Sequence, residues 1–307
     1  MRIVFLGTSS FAVPSLLSIA QKYDIPLVIT QPDRPAGRGG RLRPPPVKEG
    51  AIRLGLRVAQ PERINADETI ADIKKASPDL IVVSAYGQLL KPELFSIPPY
   101  GTVNIHASLL PAYRGAAPVN WAIINGEPKT GITTFLIDEG MDTGDILVQR
   151  SLSIGKDETA GELEARLAAL GAEAIVETIA GLANGTISPS PQPPTGVSLA
   201  PRLTRNDGQI DWGRPASEIH NLVRGTNPWP GAWTRLGEER VKVHRTALTG
   251  IGRGEIRPGE IALRKTGRLL VGCGDDLIEI LEIQREARPR TDGRAFLNGL
   301  RGEARFA

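Results

Sequence analysis

The sequence predicts a doubly wound, mostly parallel α/β sheet of Rossmann-like type, followed by an OB-like β-barrel. Three observations carry this expectation. Residues 2–6 form an apolar strand, 7–10 a Gly-Thr-Ser-Ser turn, and 11–19 an apolar-periodic helix, which is how a βαβ unit opens. Residues 79–84, D-L-I-V-V-S, are apolar almost throughout, as strands buried inside a parallel sheet are. Beyond residue 231 the pattern changes to short strands separated by Gly-rich turns, the signal of a small barrel. At 307 residues the chain is too long for one typical core. The expected domains are 1–183 and 206–307, joined by a Pro-rich linker at 184–205.

In chain order, Ser9 or Ser10 stands where a helix cap is needed. Only Gly7 is present where G-x-G-x-x-G requires three glycines, which argues against a dinucleotide site. Residues 25–30 are a second strand. Residues 31–46 hold five prolines and three glycines and are expected to lack regular structure. A loop this long in a compact domain is usually functional, and Arg34, Arg38, Arg41 and Arg43 suit phosphates. A helix at 47–54, a short strand at 56–58 and a helix at 67–76 lead to the strand 79–84. Its loop, 85–92, leaves a carboxyl end, where open α/β sheets bind ligands.

A helix at 119–125 and strands at 130–137 and 146–149 follow. The amphipathic helix 159–182, with Leu163, Leu167, Leu170, Ile175 and Ile179 on its apolar face, is expected to close the first domain. The run S-P-S-P-Q-P-P at 188–194 reads as a semi-rigid linker. A helix at 216–224 and a P-W-P-G turn open the second domain. Strands are expected at 232–236, 239–247, 259–264, 269–273 and 277–284, with a helix at 291–300.

Composition narrows the chemistry. The whole net charge of +3 falls after residue 205, and a second local excess lies at 33–48. Two basic zones suit a partner with a phosphate backbone. Lys242, Arg245, Arg264, Lys265 and Arg268 lie on the predicted barrel, and no pair of aromatics stands ready to stack bases there. The single cysteine, Cys273, excludes an internal disulfide and reads as a core thiol. Three histidines without H-E-x-x-H or C-x-x-C argue against a metal. Neither G-x-S-x-G nor a Walker A loop occurs. No apolar run reaches the roughly 18 residues of a membrane span, and no apolar leader opens the chain. A cytoplasmic enzyme fits these features, with a monomer as the default state.

The stretch 101–145 carries the chemistry. Val103-Asn104-Ile105-His106 reads as a strand end. Residues two apart share a face, so Asn104 and His106 project side by side while Val103 and Ile105 face a core. A carboxamide beside an imidazole suits an oxygen that becomes negative during acyl transfer. Asp142, between Gly140 and Gly144, is the carboxylate expected to meet the histidine and set its charge or tautomer.

N-I-H-A-S-L-L-P-A-Y-R-G-A-A-P at 104–118 and G-M-D-T-G-D at 140–145 resemble the signature of the folate-dependent formyltransferases. The resemblance runs over nearly the whole chain. It implies that Asn104, His106 and Asp142 are catalytic, with protonated His106 and the Asn104 amide stabilising a tetrahedral oxyanion. It implies 10-formyltetrahydrofolate as formyl donor, held by Gln88, Leu89 and Leu90 and by Ser108, Leu109, Leu110 and Pro111. The motif R-P-A-G-R-G at 34–39 resembles the insertion by which one branch of the family enters the acceptor stem of initiator methionyl-tRNA. Arg34, Arg38, Arg41, Arg43, Lys242 and Arg245 are the implied tRNA contacts. Arg114 is as readily an ion-pair partner as a catalytic group. Formyl transfer to a nucleotide sugar or amine, formyl-folate hydrolysis, and RNA binding without catalysis are the competing readings.

Overall fold

The computed structural model describes residues 1–36, 40–262, 267–300 and 305–307. In chain order the elements are β1 (Arg2–Gly7), α1 (Val13–Ala20), β2 (Asp24–Ile29), β3 (Arg34–Ala36), β4 (Arg41–Arg43), α2 (Pro46–Arg53), β5 (Val58–Ala59), α3 (Asp67–Ala76), β6 (Leu80–Ser84) and α4 (Pro92–Phe95). Then come β7 (Thr102–His106), β8 (Arg114–Gly115), α5 (Pro118–Ile124), β9 (Lys129–Leu136), β10 (Ile146–Ser153), α6 (Ala160–Asn184), β11 (Leu199–Ala200) and α7 (Ala216–Gly225). The chain ends with β12 (Ala232–Leu236), β13 (Glu239–Gly252), β14 (Ile261–Ala262), β15 (Leu270–Gly272), β16 (Asp276–Arg285), β17 (Thr291–Asp292) and α8 (Gly293–Asn298). Two compact units result. One comprises Met1–Gly115, Thr130–Leu152 and Glu164–Ala200, the other Ala116–Lys129, Ser153–Leu163 and Pro201–Ala307.

The first unit is built on a seven-stranded sheet ordered β10-β9-β7-β6-β1-β2-β5. The ladders joining β7, β6, β1, β2 and β5 are parallel, and β9 runs antiparallel to β7. Ile3 to Leu6 and Leu80 to Val82 are fully buried, which their unbroken apolar sequence requires. Gly171 lets α6 lie close on the sheet, because a Cβ there would stand 3.1 Å from the Ile105 side chain. The Thr134 and Thr178 hydroxyls meet at 2.7 Å across the same packing. Among the described residues, α6 alone is long and apolar enough to cross a bilayer. Leu163, Leu167, Ile175 and Ile179 are instead fully buried in the protein, the mark of a core helix.

Two expectations for this unit need correction. Neither Ser9 nor Ser10 caps a helix: residues 10–12 form a 3-10 turn that runs into α1, and no side chain caps either element. The segment 31–46 is not wholly irregular. Residues 34–36 and 41–43 pair as an antiparallel ribbon, with Arg34 opposite Arg43, Pro35 opposite Leu42 and Ala36 opposite Arg41. A two-stranded ribbon draws N–H donors from alternate residues only, so proline is tolerated in it. The Pro-rich run after α6 is also held down. Ser190 bridges to Ile146, and β11 pairs in parallel with β8.

The second unit holds the curled antiparallel sheet β12-β13-β16-β15-β14, with β17 on β16. Register shifts along the β13–β16 ladder supply the curl. Phe306 bridges to Leu236 and Arg305 to Glu260, so the last residues link the two ends of the sheet. This is the expected OB-like barrel, closed by residues whose strand role had no sequence signal. Phe306, 1% exposed, stacks on Trp212 at 5.6 Å and on Phe296 at 6.2 Å. Cys273 is buried as expected, and burial pushes its thiol up to about 12. The predicted helix 291–300 is shorter. Thr291 and Asp292 pair with β16, and the Asp292 carboxylate caps α8 by accepting the Ala295 N–H at 2.7 Å. Helix α5 packs on α7 within this unit, where the Asn120 amide donates to the Gly225 carbonyl at 2.8 Å.

Phe306 therefore anchors both the barrel core and its closure. Phe306→Ala is expected to cost about 3–5 kcal/mol in the second unit, as large aromatic truncations do. Denaturant unfolding followed by tryptophan emission measures it, since Trp212 lies against the ring. A loss within experimental error contradicts this role.

Candidate active site

Strand β7 carries the site because its alternation is strict. Val103 and Ile105 are buried at 0% and 3% exposure. Asn104 and His106 project to the other face. Among the described residues the Asn104 carboxamide has no hydrogen-bond partner, and it is partly exposed. Its donor is thus available to a ligand. His106 is 6% exposed and held from two sides. Its Nε2 lies 2.9 Å from the Tyr113 carbonyl, and its Nδ1 lies 3.6 Å from Asp142 Oδ2.

A carbonyl only accepts, so Nε2 carries a proton in either charge state. Nδ1 faces a carboxylate at a distance longer than a normal hydrogen bond. A proton on Nδ1 is therefore attracted by Asp142 yet still open to a second acceptor.

Asp142 reaches this position by a doubled-back loop. On the β7–β9 ladder Leu136 is level with Val103, whereas His106 is level with Thr133. The chain must return along β7 before Asp142 meets the imidazole. The glycines of G-M-D-T-G-D permit that return. A Cβ on Gly144 would strike the Leu136 carbonyl, and one on Gly140 the Thr143 hydroxyl. Asp142 itself adopts φ 55°, a left-handed conformation that costs a non-glycine residue of order 1 kcal/mol.

Three contacts hold it there. The Gly115 N–H donates to Asp142 Oδ2 at 2.8 Å. The Gln192 amide donates to the Asp142 carbonyl at 2.8 Å and to the Gly144 carbonyl at 2.9 Å. Arg114 in turn donates to Gln192 Oε1 from Nε at 3.2 Å and from Nη2 at 2.6 Å. Arg114 is thus a brace for the loop. Gly115, at φ 124°, lies so close to β11 that a Cβ would sit 2.6 Å from the Ala200 carbonyl.

The structure brings Asn104, His106 and Asp142 together. The other expected contacts divide by what their side chains do. Ser108 is fully buried and donates to the Ala112 carbonyl at 2.6 Å, so it shapes the loop. Thr133 accepts the Leu110 N–H at 3.0 Å and donates to the Ser108 carbonyl at 2.7 Å, and Gln149 donates to the Leu110 carbonyl at 2.8 Å. The backbone of 108–111 is thereby fixed, with Leu109 and Pro111 partly exposed and Leu110 buried. In the 85–92 loop, Gln88 accepts the Ile64 N–H at 3.0 Å and donates to the Glu62 carbonyl at 3.1 Å. Leu90 packs on the core, while Leu89 is 82% exposed.

Thr30 Oγ1, Gln31 Nε2, Ser84 Oγ and Tyr86 Oη are buried with no hydrogen-bond partner among the described residues. Burial pushes the Tyr86 phenol up to about 12, so it stays a neutral donor. These four residues, with Gln192, had no signal in the sequence. Among the described residues no three His, Cys, Asp or Glu side chains cluster as a metal site requires.

Of the expected phosphate contacts, Arg34, Arg41 and Arg43 share one face of the β3–β4 ribbon, by the opposition of Arg34 and Arg43 and the two-residue spacing of β4. Arg34 also pairs with Glu62 at 2.7 Å. Arg38 lies outside the described residues, as do Arg264 and Lys265. In the second unit Lys242 is exposed, Arg245 pairs with Glu162 at 2.6 Å and Arg268 with Glu279 at 2.6 Å.

The description "Formyl transferase" matches residues 1–179, and "Formyl transferase, C-terminal domain" matches residues 202–301. The chain is 48% identical over 306 residues to the methionyl-tRNA formyltransferase of Geobacter metallireducens, covering 99% of this chain and 97% of that one. It is 46% identical over 301 residues to that of Ruminiclostridium cellulolyticum, covering 97% and 96%. In structure it resembles an N-formyltransferase from Helicobacter canadensis in complex with folinic acid and dTDP-3-aminofucose. The TM-score is 0.69 at 20% identity, over 93% of this chain and 99% of that one.

The Tyr113 carbonyl fixes one property of the site that can be read directly. At a pH where His106 is neutral, nitrogen-detected NMR is expected to show the Nε2–H tautomer. Assignment is simple because the chain has three histidines. An Nδ1–H tautomer contradicts the geometry.

Proposed function

This chain belongs to the formyl transferase family, and from that premise we propose that it transfers the formyl group of 10-formyltetrahydrofolate to the α-amino group of the methionine on initiator methionyl-tRNA. The observation that carries the chemistry is the free Asn104 amide beside a histidine whose remaining donor faces Asp142. The acceptor rests on full-length identity to relatives bearing that activity in their names, both domains included. It draws support from the arginine face of the β3–β4 ribbon. A nucleotide-sugar acceptor and folate hydrolysis are not favoured. We assign catalysis to residues 1–183 and RNA docking to 206–307, with work in translation placing the enzyme in the cytoplasm.

The methionine amine attacks the formyl carbon, and a C–N bond forms. The carbonyl oxygen becomes an oxyanion in the tetrahedral intermediate. The Asn104 amide and protonated His106 Nδ1 donate to it. Collapse breaks the bond between the formyl carbon and N10 of the folate. The attack leaves the methionine nitrogen as an ammonium, and the proton it then loses balances the one taken up at N10. Asp142 offsets the positive charge of His106, and its carboxylate is the base through which the ammonium proton leaves. The nucleophile comes from the substrate, so no covalent enzyme intermediate is needed.

The co-substrate lies against 108–111 and 88–90 in this account. Fixed backbone at both segments offers peptide groups to polar ring atoms, and Leu89 supplies an apolar face. On the RNA side, Arg34, Arg41 and Arg43 with Arg38 meet acceptor-stem phosphates, and Lys242 and Arg245 meet phosphates at the barrel.

The test is formylation of methionyl initiator tRNA with 10-formyltetrahydrofolate. Wild type is expected to turn over. Asn104→Ala is expected to lose about 100- to 1000-fold in single-turnover rate, the usual cost of one oxyanion donor. Folate consumption that leaves the tRNA unmodified overturns the acceptor. A near-normal rate in Asn104→Ala overturns the mechanism.

A further inference from the structure

The β3–β4 ribbon is poorly held by its own residues. Its strands have three residues each, and among the described residues they join no other sheet. An isolated two-stranded ribbon is marginal in water. Arg34 stands opposite Arg43, and like charges so placed push the strands apart. Arg41, Leu42 and Arg43 are all exposed, so burial adds nothing on that strand. The Arg34–Glu62 pair is exposed on both partners and holds weakly.

The restraint lies at the foot of the ribbon. Asp33 immediately precedes β3, and Lys48 follows β4 in the first turn of α2. Lys48 Nζ donates to both Asp33 carboxylate oxygens at 2.8 Å, with the two side chains 23% and 31% exposed. The Gln60 amide donates to Asp33 Oδ1 at 2.7 Å and to the Gln31 carbonyl at 2.8 Å. Both donors stand on fixed supports. Helix α2 buries Val47 and Ala51 completely. Gln60 directly follows β5, which pairs with β2 at the edge of the main sheet. The hydrogen bonds from Gln60 and Lys48 hold the Asp33 carboxyl below its ordinary range, so it stays ionised at neutral pH.

We infer that Asp33, Lys48 and Gln60 form a clamp that positions the arginine face of the ribbon for the RNA substrate. The inference rests on the RNA acceptor proposed above and adds positioning residues that act through the arginines. Lys48 falls within the basic zone 33–48, where sequence alone makes it one more phosphate contact. Its ammonium is instead engaged by both oxygens of Asp33. Asp33 is the sharper case. An acid beside an arginine face weakens the attraction for phosphate. Holding the two legs of the ribbon together offsets that loss, because it fixes where the arginines stand.

The test is steady-state formylation of methionyl initiator tRNA by the full chain, with wild type beside Asp33→Asn, Lys48→Gln and the pair together. Asp33→Asn removes a negative charge with little change of shape. Charge attraction alone predicts a lower KM for the RNA. The clamp predicts a KM about tenfold higher, short of the roughly 100-fold that a 1 Å error costs at reacting groups. The KM for 10-formyltetrahydrofolate is expected to stay within about twofold of wild type. A distortion spreading through Gln31 would reach Gln88, whose amide donates to Gln31 Oε1 at 3.3 Å, and would raise both values. Partners in one clamp are non-additive, so the double variant is expected to match the worse single variant.

Trypsin gives a readout that needs no RNA. Cleavage after Arg41 tracks how often β4 opens, and it is expected to be severalfold faster in each single variant with thermal melting unchanged. An RNA KM that falls or stays unchanged in Asp33→Asn overturns the inference, and so does a folate KM that rises with it. Losses that multiply in the double variant make Lys48 a separate phosphate contact and overturn it too. Unchanged cleavage removes the clamp while the acceptor assignment stands. If wild type does not formylate the RNA, both fall.

Discussion

The contact between His106 and Asp142 sets what the rest of the first unit must do. One partner sits on a strand, where β alternation fixes its direction. The other sits on a loop that must travel back along that strand and hold a left-handed residue at its tip. A 1 Å error in such a constellation can cost about 100-fold in rate, so the loop cannot be left to its own flexibility. The Gly115 N–H, the Gln192 amide and, behind it, Arg114 supply the restraint. Two of those three come from the Arg114-Gly115 pair of one motif, and the third from a segment that looks like mere spacer.

This changes the reading of the Pro-rich run. Its bridges to Ile146 and β8 place its chain against the first unit, and the amide of Gln192 points at the loop that carries Asp142. Proline stiffness then has a purpose beyond separating domains. A stiff segment loses little entropy when held, so its side chain can restrain a loop at modest cost. The same logic appears in the β3–β4 ribbon, where pairing turns a Pro- and Gly-rich stretch into a face bearing three arginines.

Much of this was legible in the sequence for physical reasons that act locally. Period-two alternation placed Asn104 beside His106, and glycine spacing marked the loop of Asp142. Continuous apolar runs identified the parallel strands, and the long 3.6-residue pattern gave α6. What escaped depends on partners far away in the chain. Gln192 lies 50 residues from Asp142, and nothing in S-P-S-P-Q-P-P distinguishes a brace from a linker. Phe306 closes the barrel through Leu236, and α5 packs with α7 across about a hundred residues of sequence. The buried hydroxyls of Thr30, Ser84 and Tyr86 read as ordinary strand-end residues until their lack of partners is seen. The Ser9 and Ser10 caps failed because a 3-10 turn satisfied the helix entry by backbone alone.

The central claim is that Asn104, His106 and Asp142 act as one unit on the formyl group. A double-mutant cycle on the single-turnover rate of formyl transfer tests it most directly, with Asn104→Ala, Asp142→Ala and the pair together. Groups that act as a unit are strongly non-additive, so the double variant is predicted to be within about threefold of the slower single variant. Losses that multiply, giving a double variant slower by the product of the two, contradict the account.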